Sequence, residues 1–145
     1  MQKCSCHSDR LYSECCEPFH KGALPKTAVE LMRSRYSAYA KGLSNYIIKT
    51  THKNCASYLP DRKTWIQQIQ AFCKSTKFIG LEILAFEEAS PKAAMVAFVA
   101  TLEQQGLLVE LVEKSLFTKE GPCWLYLNGT IYPSKAALVD TLQTY

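Results

Sequence analysis

The chain has 145 residues, nearly half of them apolar and about a fifth charged, enough for one hydrophobic core with a small appendage. Its net charge of +4 is mild, and its Lys and Arg are scattered among Glu and Asp, so the balance does not argue for a nucleic-acid partner. The start MQKCSCHSDR is polar, and no apolar run approaches the ~18–20 residues that span a bilayer. These features predict a cytoplasmic protein, where cysteines serve as metal ligands or free thiols rather than as disulfides.

The first element is CSCHSDRLYSECC, which places Cys4, Cys6, Cys15 and Cys16 in a C-x-C-x8-C-C pattern. Tetrahedral zinc takes four thiolate or imidazole ligands, and two short cysteine pairs joined by a polar loop supply them. Lys3, Arg10 and Lys21 could offset the charge of four thiolates, and His7 or His20 could replace one of them. Two disulfides would need the adjacent Cys15 and Cys16 to part in an oxidising compartment. Four unliganded thiols would leave the clustering without a reason.

ECCEPFHKGALPKT, with two prolines and a glycine, reads as linker. Thr27 and Glu30 then form a T-x-x-E capping box ahead of Val29, Met32, Tyr36, Tyr39 and Leu43, one face of a helix. Lys41 and Gly42 supply its stop signals. Ser44 could cap a second short helix through YIIKTT, and a third is predicted from Asp61 to about Lys74, with Trp65, Ile69, Phe72 and Cys73 on one side. From Lys77 the period switches to two. KFIGLEILAFEE, AAMVAFVATLE, LLVELVEKSLF and CWLYLNG predict four strands, with QQG and KEGP at the turns. SKAALVDTLQTY predicts a last short helix. Helices followed by consecutive strands predict an α+β fold.

CSCHSDRLYSECC resembles the SEC-C motif, the small zinc module found in the SecA translocation ATPase. Both cysteine pairs, Ser8 and Tyr12 match; Ser5, His7 and Asp9 stand where Pro, Gly and Gly are usual. LMRSRYSAYAKGLSNYIIKTTH, EKSLF and WLYLNG are similar to stretches of the YchJ-like family, so the likeness covers nearly the whole chain. Lys53 and Leu116 depart from that family, where Pro and Arg are usual. The resemblance implies a SEC-C knuckle over residues 1–24 and an NTF2-like domain over 25–145, a curved antiparallel sheet wrapped by helices into a cone. It also implies a bound Zn²⁺ and a protein partner for the zinc module, chaperone or ribosome-associated as for the motif in SecA.

If the domain is a cone, its cavity would draw on five residues. Tyr36 lies centrally on the first helix, with Arg33 and Arg35 on its two flanks. We expect Arg35 to extend to water and Arg33 to turn inward. On the third strand Glu113 and Ser115 share a face with Leu107, Val109, Leu111 and Phe117, and a desolvated carboxylate there needs a cation or donors. We therefore expect an Arg33–Glu113 pair. His52 stands outside the cysteine region and could act as acid or base beside Glu113. The leading functional reading is a zinc-binding adaptor, because four protein ligands close a zinc site to catalysis. The alternative is small-molecule binding, or acid–base catalysis, in the cone.

Overall fold

The computed structural model describes residues 2–142, and its first helix lies where the sequence reads as linker. Glu17–His20 forms one helical turn, α1, with a proline at its start. Proline there loses no hydrogen bond and is preset for helix. His20 then docks, its Nε2 lying 2.8 Å from the carbonyl of Ser34, so the segment is a packed corner rather than a linker.

Helix α2 (Ala28–Lys41) starts at its cap: Thr27 is extended and accepts a hydrogen bond from Glu30 N, a feature worth about 1 kcal/mol. The box closes one residue early, since Glu30 accepts from Lys26 N. Gly42 ends α2 with φ 72°, the left-handed conformation that glycine adopts without strain. Beyond the predicted stripe, α2 buries Leu31, Ser34, Arg35 and Ala38, because it is packed on two sides. Helix α3 (Ser44–Lys49) begins with Ser44 as its first residue, Leu43 holding the cap position. Ser44 Oγ instead accepts from Gln70 Nε2 at 2.6 Å. Helix α4 (Arg62–Lys74) is capped by Asp61 and buries Trp65 and Ile69.

Strands β1 (Thr76–Ser90), β2 (Ala93–Gln104), β3 (Leu107–Glu120) and β4 (Cys123–Tyr132) pair antiparallel in chain order. Gln105 and Gly106 both take positive φ in the β2–β3 turn, as a two-residue hairpin of this hand requires. Irregularities in β1 after Phe78, Ile83 and Glu88, and between Leu116 and Phe117 against β4, bend the sheet. Helix α5 (Lys135–Leu142) covers the convex side, where Leu138 packs with Ala97, Val99 and Val112; residues 143–145 of the predicted last helix lie outside the described residues. On the concave side α2 and α4 close the cone. Cys4, Cys6 and Cys16 belong to the same buried cluster as Leu31, Met32, Tyr36, Phe98 and Trp124, so the cysteine segment is built into the core. Among the described residues no helix is long and apolar enough to cross a membrane.

Candidate metal centre and ligand cavity

The Cys4–Cys16 segment is a tight loop whose backbone bonds Cys4 N to Arg10 O at 2.8 Å and Tyr12 N to Gln2 O at 2.9 Å. Two turns need left-handed backbone, and they fall at His7 (φ 61°) and Asp9 (φ 72°), the two positions where the SEC-C motif has glycine. His and Asp are among the non-glycine residues that enter this region most readily, so the loop keeps its shape at some strain.

The four sulfur atoms lie within 4.8 Å of one another. Cys6 to Cys15 is 3.6 Å and Cys15 to Cys16 is 3.9 Å. A disulfide needs about 2.05 Å, and a tetrahedron with metal–sulfur bonds of about 2.3 Å has edges of about 3.8 Å. The residues therefore fit a tetrahedral metal ion of zinc's size. Their titration reflects the crowding. The Cys6 thiol is held down to about 4, chiefly by the hydrogen bond from Cys16, while that same contact pushes Cys16 up. Burial raises Cys15 to about 11. One negative charge sits easily in this cluster and further ones need a cation.

Hydroxyls stand beside the sulfurs: Ser8 Oγ is 3.2 Å from Cys15 Sγ and Ser37 Oγ is 3.8 Å from Cys4 Sγ. Arg33 Nη1 donates to Cys6 O at 3.1 Å and meets Cys6 Sγ at 3.8 Å. Arg33 is thus the cation nearest the cluster, and the expected Arg33–Glu113 pair does not form. Lys3, Arg10 and Lys21 are drawn instead to Asp9, Glu14 O and Glu17. His7 Nε2 lies 3.3 Å from Phe78 O. His20 contacts Tyr12 Oη at 2.6 Å through Nδ1 and the carbonyl of Ser34 through Nε2, so both rings are engaged away from the sulfurs.

Behind α2 lies a cavity of about 370 Å³, walled mainly by aromatic and aliphatic side chains, with Tyr36, Glu113 and Ser115 among its lining. Arg35, expected to extend to water, is 8% exposed and lines this cavity. Its Nη1 donates to Ile47 O, Thr50 Oγ1 and Thr51 Oγ1, and its guanidinium lies 4.8 Å above the Tyr126 ring. Those acceptors exist because α3 ends against β4, Tyr126 N donating to Thr50 O and His52 N to Tyr126 O.

Glu113 Oε2 accepts from the Ser115 hydroxyl and from Tyr126 Oη at 3.0 Å. The glycine of WLYLNG makes that contact possible: a Cβ at Gly129 would fall 2.3 Å from Glu113 Oε2 and 2.6 Å from Tyr126 Oη. Burial, then the Glu113 charge, raises the Tyr126 phenol far above its ordinary value. Tyr36 Oη donates to Gly80 O at 3.0 Å. His52 is not in the cavity lining; its Nε2 is 2.6 Å from Glu120 Oε1 and its Nδ1 accepts from Asn54 N, which separates it from Glu113. The sequence reasoning missed Arg35, Tyr126 and Gly129 as site residues. The last two were visible in WLYLNG, but their role depends on which face of the sheet they share with Glu113.

Comparison with known proteins follows the same lines. A family model described as the middle NTF2-like domain of YchJ matches residues 27–129. A UPF0225 protein of Bordetella pertussis is 36% identical over 131 residues, 88% of this chain and 92% of its own length. One of Vibrio parahaemolyticus is 38% identical over 140 residues, covering 94% and 79%. Among solved structures, a SEC-C motif containing protein from Rhodopseudomonas palustris superposes with TM-score 0.75 at 27% identity, covering 90% of this chain and 99% of that one. Another, from Psychrobacter arcticus, gives 0.73 at 29%, covering 92% and 85%. The matched domain, the curved four-stranded sheet and the frontal cysteine cluster agree: the chain belongs to the YchJ-like (UPF0225) family, an NTF2-like domain carrying a cysteine knuckle of SEC-C type.

Proposed function

We propose that this protein binds a small, largely apolar molecule in its NTF2-like cone, and that a zinc ion on Cys4, Cys6, Cys15 and Cys16 rivets the knuckle (residues 1–24) to the domain (25–145). The observation that carries the first part is the cavity of about 370 Å³, within the size range of small-molecule sites. The second part rests on the sulfur spacing and on the shared core. Bound zinc would neutralise thiolates that cannot otherwise coexist, and four cysteine ligands leave it no open position for chemistry. Calorimetry with 3-methylindole, a compact apolar probe, tests the cavity. Wild type should bind it and Ala100→Phe, which fills the cavity from β2, should not. Failure of wild type to bind this probe and its polar relatives L-tryptophan, 3-indolepropionate and tryptamine would overturn the reading. Elemental analysis of reduced protein should give one zinc per chain.

The adaptor reading, in which the zinc end meets a chaperone or ribosome-associated protein, draws on a different feature. Leu107, Leu108 and Val109 are 68%, 71% and 41% exposed. Val109 pairs with Leu102, which pairs with Phe78, the residue His7 touches. An exposed apolar run two strands away from the residue that His7 touches suits a partner surface at this end. Affinity capture with wild type beside the Cys15→Ser, Cys16→Ser double variant and beside Leu108→Lys tests it: partners lost in both belong to this end, and an unchanged set removes the reading.

A further inference from the structure

We propose, on the strength of the cavity reading above, that the occupant is a net-neutral amphiphile: a ring-sized apolar body bearing one carboxylate and, close by, one ammonium or hydroxyl donor. Two buried charges line one cavity without pairing. Arg35 is 8% and Glu113 9% exposed, and both face the same space as Trp65, Phe78 and Phe98. Arg35 makes its side-chain hydrogen bonds through Nη1, leaving the N–H groups on Nε and Nη2 without protein acceptors among the described residues. Glu113 receives both of its donors on Oε2, leaving Oε1 without one among the described residues. Tyr126 touches both, its ring face toward Arg35 and its hydroxyl on Glu113.

These Arg35 and Glu113 atoms reach cavity solvent, since no enclosed side-chain nitrogen or oxygen among the described residues lacks a partner, and a ligand that fills the cavity strips that water and must replace it. A ligand that satisfies both ends replaces it at both. A hydrocarbon replaces it at neither. A simple acid meets Arg35 and leaves Glu113 stripped of water; a simple amine does the reverse. The pair also balances in charge, so a neutral zwitterion or hydroxy acid enters without adding net charge to an apolar space. The aromatic walls suit a flat body and favour a nearby ammonium. Gly129 bears on the same design: its missing side chain lets Glu113 and Tyr126 share the wall without filling the cavity.

Calorimetry with four probes that share one ring system tests this: L-tryptophan, 3-indolepropionate, tryptamine and 3-methylindole. L-tryptophan should bind about tenfold or more tightly than either single-ended probe, the expected yield of one charge-assisted hydrogen bond. Glu113→Gln should bring tryptophan to the affinity of 3-indolepropionate. Arg35→Met should bring it to that of tryptamine; if Arg35→Met fails to fold, Arg35→Lys, which keeps the charge and loses the planar fork, should weaken the carboxylate probes alone. Equal affinity of 3-methylindole and L-tryptophan, or tryptophan binding untouched by Glu113→Gln, would overturn the inference and leave the cavity reading standing. Failure of all four probes would overturn both.

Discussion

The knuckle and the cavity are served by the same helix and are built on opposite rules. Around the sulfurs each polar neighbour has a partner: Arg33 donates to Cys6, and Ser37 and Ser8 share hydrogen bonds with Cys4 and Cys15. His20 is bonded at both ring nitrogens. In the cavity two buried charges keep unused capacity and are backed by an apolar wall. A site ringed by the protein's own partners is held in shape, whereas one whose polar groups keep spare capacity is where a ligand is to be sought. Residues 33 and 37 of α2 serve the first and residues 32, 35, 36 and 39 the second. LMRSRYSAY is therefore one helical stretch written for two sites.

That contrast can be broken most forcefully at the metal. Stripping the proposed zinc with a chelator is expected to cost about 5 kcal/mol or more, since structural zinc contributes its binding energy to folding and three of the cysteines lie in the main core. A thermal melt and hydrogen exchange would follow it; an unmoved melt, with residues 2–24 still protected, would remove the knuckle from the list of structural sites. Next in size is Gly129→Ala. Its Cβ has no room beside Glu113 and Tyr126, so a loss of about 1–3 kcal/mol is expected. Combining it with Glu113→Ala should restore the carboxylate's share of that loss in a double-mutant cycle, the rest staying with the Tyr126 hydroxyl. Equal costs in both backgrounds would show that the carboxylate is not what Gly129 accommodates.

A smaller effect is expected from His20, whose imidazole is held below its ordinary value chiefly by burial. The fold therefore favours the neutral ring. The stability it lends is present above the unfolded value of ~6.5 and is lost as pH falls through the depressed folded value. Protonation would also cost Nδ1 its role as acceptor from Tyr12. His20→Gln should accordingly lose less stability than wild type between pH 7 and pH 5 in denaturant melts of metal-loaded protein. Parallel losses would mean the ring does not sense pH. The smallest expected effect is at Asp9. Its positive φ strains any residue but glycine, so Asp9→Gly should raise the melting temperature by a few degrees at most, against the loss of an exposed pair with Lys3. A fall would show that the pair outweighs the strain.

Local chemistry was legible in the sequence. Thr27, Gly42 and Asp61 mark helix ends because a cap needs only its own neighbours. The strands appear from period-two alternation, and Glu113, Ser115 and Phe117 share a face because alternation fixes faces within a strand. The cysteines cluster because short spacing leaves them little freedom. The linker reading of residues 14–27 failed because His20 is held by Tyr12 and Ser34, and the Ser44 cap failed because its hydroxyl is taken by Gln70 of α4.

By itself, the sequence determined the family, the order of the main helices and strands, the four sulfurs and the carboxylate on β3. The tertiary structure alone decided the partners. Arg33 and Arg35 are two residues apart, about 200° around a helix, so one had to face the knuckle and the other the cone. Nothing local says which, because both flank the same apolar stripe. The choice was made when the knuckle packed against the Arg33 side and the end of α3 offered its oxygens to Arg35. Helical period sets the angle between two side chains, and only packing sets what each of them meets.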